Sequence, residues 1–212
     1  FNNTYGAILY LAMAGGFTVT EVLGSTATDT ANGLGGLNGL PLASQDILKG
    51  SKFNMPRQAR SIPEGLSSRG YFSKNVTVHV IAGPEDYLFT KEVIDNFYSH
   101  AFLLSAEISR VGYRLTGHPI YADSYNIPSK TVLPGTIQIP PSGDPIILMA
   151  DGPVTGGYPR MGVVAKVDQP ILAQLRSGGR VRFLACLPEE ARLREANQRQ
   201  WIEELYHKKT ER

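Results

Sequence analysis

Val76-Thr-Val-His-Val-Ile-Ala82 alternates apolar and polar positions with β-branched side chains, and predicts the clearest strand of the chain. Arg180-Val-Arg-Phe-Leu-Ala185 predicts another. Between them the period changes: Val93, Ile94, Phe97 and Tyr98 fall at i, i+1, i+4 and i+5 behind Thr90, which predicts a helix with one apolar stripe and Thr90 as its cap. Pro188 followed by two acids suits a first helical turn, so a helix is expected from Glu189 to His207, with Ala191, Leu193, Ala196, Trp201, Ile202 and Leu205 as apolar members.

Other segments carry weaker patterns. The apolar run Ala7 to Ala14 reads as a buried strand entering the Gly15-Gly16 turn, and the glycine-rich stretch Thr26 to Gly39 as a long loop. Ser44 to Lys49 resembles a hairpin entry to a strand, and Phe53 to Ser73 a long connection. Ala106 to Leu115 reads as one strand with a bulge at Gly112. Thr131 to Pro140, the turn Pro141-Ser-Gly-Asp144 and Pro145 to Ala150 together predict a β-hairpin. Met161 to Val167 continues as an extended segment, Gln169 to Leu175 is helix-like, and Ser177-Gly-Gly is a turn. His79, on the first strand, is expected to be packed or half-exposed.

With 22 glycines and 14 prolines spread along 212 residues, short elements joined by many turns are expected. The fold class is therefore mainly β with a few helices (α+β). Lys and Arg number 21 against 19 acids, giving +2 with no long basic run, which argues against nucleic acid as a partner. Cys186 is the only cysteine, so an intrachain disulfide is excluded, and a cytoplasmic location is expected. The longest apolar runs fall far below the roughly 20 residues needed to cross a bilayer, so no membrane association is expected. Phe1-Asn2-Asn3 reads as the middle of a protein.

The four histidines are scattered without metal-ligand spacing, and neither a Gly-x-Ser-x-Gly elbow nor a Walker-type phosphate loop is present. What remains is a set of polar groups on turns beside strands. Asp151 ends an apolar run and is either a turn residue bonding its own backbone or an acid, base or ligand clamp. Thr155-Gly156-Gly157 and Tyr158 form a turn whose uncovered N–H groups suit a carboxylate, phosphate or carbonyl oxygen, or a tight turn needing only positive φ. Arg110 and Arg114 offer a fork to a carboxylate or phosphate, or pair with a surface acid. Glu107 and Tyr113 share their segment. Gln138, between Ile137 and Ile139, points away from both, toward solvent or a cavity.

The blocks YLAMAGGF, VLGSTATDT with LGGLNG, IAGPEDYLF, SRVGYRLTG, VLPGTIQIPPSGDPIILMADGPVTGGYPRMGVV and SGGRVRFLAC, in this order, resemble the biotin-dependent carboxyltransferase family. That family includes the C subunit of 5-oxoprolinase, the carboxyltransferase region of urea carboxylase and an antagonist of a sporulation-kinase inhibitor; older usage calls it allophanate hydrolase subunit 2. The family usually shows a more polar pair after the Asp, where this chain has Gly152-Pro-Val. The resemblance implies a cyclophilin-like β-barrel over residues 1–212, lacking the family's N-terminal portion. It also implies ATP-driven opening of 5-oxoproline to glutamate in a complex with the A and B subunits of 5-oxoprolinase, of which the B subunit is homologous to this chain. On that expectation Arg114 or Arg110 receives the substrate carboxylate, the Thr155 to Gly157 backbone the amide oxygen, and Asp151 acts as general base; Gln138, Tyr113 and Tyr158 complete the substrate pocket. Two other readings follow from the same resemblance: a urea or amide carboxyltransferase using biotin on a separate carrier, since the chain has no Met-Lys-Met attachment site, and a non-catalytic binder of a kinase inhibitor.

Overall fold

The computed structural model of the chain describes residues 6–30, 32–52 and 73–207. It divides into two compact units, Phe1–Ile8 with Ser68–Arg212, and Leu9–Ser67.

The larger unit is a closed barrel. Its elements in chain order are β1 (Asn75–Ala82), α1 (Lys91–Ser99), β2 (Ala101–Ile108), β3 (Gly112–Thr116), β4 (Lys130–Thr131), β5 (Thr136–Gln138), β6 (Ile146–Leu148), β7 (Thr155–Gly156), β8 (Arg160–Val164), α2 (Gln169–Ala173), β9 (Arg180–Ala185) and α3 (Pro188–His207). The barrel order is β1-β8-β5-β6-β3-β2-β9, closed by the parallel pairing of β1 with β9; the other pairings are antiparallel. The β4–β7 pair forms a separate two-stranded ribbon. The expected class, mainly β with a few helices and a closed barrel, is the one the chain adopts.

Strand alternation builds the interior. Val76, Val78 and Val80 of β1, Phe102 and Leu104 of β2, Leu115 of β3, Ile137 of β5 and Val181 and Phe183 of β9 are all buried in one cluster. Thr90 caps α1 by accepting the Val93 N–H, as its position predicts. The helix then lays Phe97 flat on Phe183, with ring centroids 4.5 Å apart. Burial of this many large apolar side chains, each worth about 1.5–3 kcal/mol, is the main stabilising term.

Four expectations need correction. Ala106 to Leu115 is not one bulged strand. The chain reverses at 109–111, where Ser109 N–H donates to the Gly112 carbonyl, and the two halves pair as β2 and β3. The register shift lies within β2, between Leu104 and Ile108, and Gly112 opens β3 instead of forming the bulge. Ala7 to Ala14 is not a strand: it carries no ladder among the described residues, and Leu9, Tyr10, Leu11 and Met13 are exposed. An apolar run becomes a strand only where a partner edge is offered, and here none of the described segments provides one. Ser44 to Lys49 likewise enters a turn without continuing into a strand. The Thr155-Gly156 stretch, read as a turn, is half of the β4–β7 ribbon.

The Leu9–Ser67 unit is held by isolated bridges, Phe17 to Gly50, Thr20 to Gly36, Val22 to Ser25 and Asp29 to Leu34. Thr26 to Gly39 is a loop, as expected. Gly36 has φ of 52°, and a Cβ there would collide with the Thr28 hydroxyl, so the loop closes on itself only with glycine at this point. The expected connection from Phe53 to Ser73 lies outside the described residues, apart from Ser73. No helix among the described residues is long and apolar enough to cross a membrane.

Candidate functional site

Arg110 and Asp151 meet because the backbone brings them together. Asp151 N–H donates to the Arg110 carbonyl at 2.9 Å, joining the 109–111 turn to the end of β6. Their side chains form a bidentate pair, Nε to Oδ2 at 2.5 Å and Nη2 to Oδ1 at 2.9 Å. The pair is open to solvent, with the arginine side chain 76% and the aspartate 49% exposed. Arg114, on β3, faces outward and donates to Glu107 at 2.7 Å. Arg110 and Arg114 therefore engage different acids. Tyr113 is inside the barrel, where burial pushes its hydroxyl pKa up. Thr155, Gly157 and Tyr158 are exposed.

Gln138 occupies a different environment. Its neighbours Ile137 and Ile139 fill the interior, so alternation turns it to the outer face, yet it is only 5% exposed. Gly156 explains this: a Cβ at that position would collide with the Gln138 amide nitrogen, so the ribbon lies directly on the side chain. The amide Nε2 is buried and has no hydrogen-bond partner. A buried donor left unsatisfied costs roughly 1–3 kcal/mol, and native proteins hold few of them.

Around this orphan donor runs a closed circuit of contacts. Gln138 is the cross-strand partner of Arg160 on β8, and Gly156 that of Lys130 on β4. Arg160 grips Glu85 through Nε to Oε2 at 2.5 Å and Nη2 to Oε1 at 2.6 Å, and its Nη1 donates to the Thr131 carbonyl at 2.9 Å. Lys130 Nζ reaches the same Glu85 Oε1 at 3.1 Å. Glu85, in the Gly-Pro-Glu-Asp turn after β1, has no exposed surface. The Arg160 guanidinium, helped by Lys130, holds its carboxyl below the ordinary glutamate value against the opposing effect of burial.

Sequence reasoning named Gln138 and Gly156 but not Glu85, Lys130 or Arg160. The available signal was a Glu in a turn closing the clearest strand and an Arg opening another, and nothing local says that they meet. His79, expected as a packed or half-exposed strand residue, places Nδ1 2.7 Å from Asp168 Oδ2, and the same oxygen accepts the His79 backbone N–H. This ties β1 to the turn before α2. As for a nucleotide, the cations of the two clusters, Arg110, Lys130 and Arg160, each already face a carboxylate. That donor set lacks the spare positive charge that a triphosphate needs.

The family model of the carboxyltransferase domain, subdomain A and B, matches residues 2–185. The chain is 34% identical over 203 residues to the C subunit of 5-oxoprolinase from Escherichia coli (strain K12), covering 95% of this chain and 63% of that protein. It is 32% identical over 192 residues to the C subunit of 5-oxoprolinase from Haemophilus influenzae, covering 89% and 60%. The chain thus spans less than two thirds of the length of these relatives. Among solved structures, the K. lactis urea amidolyase superposes with a TM-score of 0.82 at 26% identity, over 95% of this chain and 13% of that one.

Proposed function

The chain belongs to the carboxyltransferase domain family, and from that premise we propose that it acts as part of the C subunit of an ATP-dependent 5-oxoprolinase, opening the 5-oxoproline lactam to L-glutamate together with the A and B subunits. The observation that carries the chemistry is the Gln138 amide nitrogen, buried without an acceptor under Gly156 of the β4–β7 ribbon. A lactam oxygen is the acceptor such a donor lacks. Lactam opening concentrates negative charge on that oxygen, and a fixed N–H aimed at it becomes more effective as the charge grows.

Gln138 holds the oxygen in this account, beside Gly156 of the β4–β7 ribbon. Asp151 serves as the general base for the attacking water, kept in one orientation by the Arg110 fork. ATP provides the driving force from elsewhere in the complex. The test is reconstitution of the chain with candidate A and B subunits and measurement of ATP hydrolysis with and without 5-oxoproline. Stimulation that disappears when this chain is omitted supports the reading; equal hydrolysis in its absence refutes it.

The high TM-score to urea amidolyase supports a second reading, a carboxyltransferase for urea or an amide with biotin on a separate carrier. Urea-dependent consumption of carboxybiotin, without response to 5-oxoproline, would favour it.

A further inference from the structure

We propose that Lys130 is the specificity-determining residue of this site, the cation that receives the carboxylate of a small ligand carrying both a carboxylate and an amide-type oxygen. The inference rests on the 5-oxoprolinase reading for the identity of that ligand, but its observations concern only the Glu85 circuit.

Glu85 is a single buried carboxylate facing two cations. Arg160 neutralises it alone, with one guanidinium N–H on each oxygen, and donates a third to the Thr131 carbonyl. Arg160 is thereby committed. Lys130 adds a second positive charge through one longer contact of 3.1 Å, and its side chain is 46% exposed. An ammonium has three N–H donors, so Lys130 keeps donors to give, and its side chain is half-exposed although Glu85 is buried. If Lys130 turns to another anion, Glu85 remains neutralised by Arg160.

The direction of Lys130 follows from the ladder. Residues directly opposite in an antiparallel pair project to the same face, so Lys130 leaves the ribbon on the side where Gly156 has no side chain. That is the side on which the Gln138 amide nitrogen lies. A cation with spare donors and an orphan neutral donor thus share one face. Together they match a carboxylate and a carbonyl oxygen on one small molecule, which 5-oxoproline carries and urea does not. Lys130 is also one of the side-chain ties of the ribbon to Glu85, so its transfer to a ligand loosens the ribbon that covers Gln138.

The experiment is calorimetric titration of the full chain with 5-oxoproline, with 2-pyrrolidinone, which is the same lactam without the carboxylate, and with propanoate. The proposal expects 5-oxoproline to bind at least tenfold tighter than 2-pyrrolidinone. Lys130→Met should bring the two within about twofold while leaving 2-pyrrolidinone unchanged, and Lys130→Arg should retain most of the preference. An undiminished preference in Lys130→Met overturns the proposal, as does equal binding of the two lactams to the unaltered chain, although that second result keeps the lactam reading. Binding of propanoate alone, lost in Lys130→Met, upholds the carboxylate site and refutes the lactam reading. No binding of any of the three refutes both.

Discussion

Two carboxylates in this molecule are each held by an arginine fork, and they sit in opposite environments. Glu85 has no exposed surface and its partner Arg160 is 14% exposed, whereas Asp151 and Arg110 are 49% and 76% exposed. The geometry of the two pairs is nearly the same, so the difference lies in the medium. A buried pair offsets its desolvation only while both partners are present, and removing one leaves a charge that the interior cannot solvate. An exposed pair returns to water at small cost. Glu85 is therefore bound to the fold, while the Asp151 pair contributes little to stability.

The sharpest way to break this contrast is to remove one acid from each pair. Glu85→Ala leaves Arg160 without its partner in the interior and should lower stability by about 3–5 kcal/mol, read by denaturant unfolding. The Glu85 contribution also has a defined pH dependence. Its folded-state pKa lies below the unfolded value, so the stability it provides is fully present above the ordinary glutamate value of about 4.3 and is lost as pH falls through the lowered one. The stability gap between the unaltered chain and Glu85→Gln should accordingly narrow in acid; a gap constant across that range would contradict the ion-pair account.

Gly156→Ala comes next in size. Its methyl group meets the Gln138 amide, and either the ribbon or the side chain must shift, at a cost of about 1–3 kcal/mol with loss of 5-oxoproline response. An unchanged melting temperature would show that the ribbon does not rest on Gln138. The smallest stability effect belongs to Asp151→Asn, within about 1 kcal/mol by the same unfolding assay. In the reconstituted complex that substitution should nonetheless reduce 5-oxoproline-dependent ATP hydrolysis at least a hundredfold, in keeping with the size of general-base effects of roughly 10²–10⁴.

The same contrast explains what could be read from the sequence. β1, β9, α1 and α3 were legible because each announces itself within one segment, by alternation, by a cap or by an apolar stripe. The hairpin of β5 and β6 was legible because its turn lies between its arms. Ala106 to Leu115 reads as one strand although it spans the end of β2, a reversal and most of β3, because that reversal depends on pairings with β9 and β6, which are far along the chain. The site divides in the same way. Gln138 stood out as a polar residue between two isoleucines, and Gly156 as part of an uncovered turn. Glu85 did not, because its partners lie 45 and 75 residues away and only the closed barrel brings them together.

The central claim is that the Gln138 amide nitrogen is kept unpaired for a ligand, at a cost to the fold. Replacing Gln138 with Met keeps the volume and removes the orphan donor, so thermal unfolding and 5-oxoproline-dependent ATP hydrolysis measured on the same variant test it most directly. The account predicts an equal or higher melting temperature together with at least a tenfold loss of stimulated hydrolysis. A lower melting temperature with undiminished hydrolysis would contradict it.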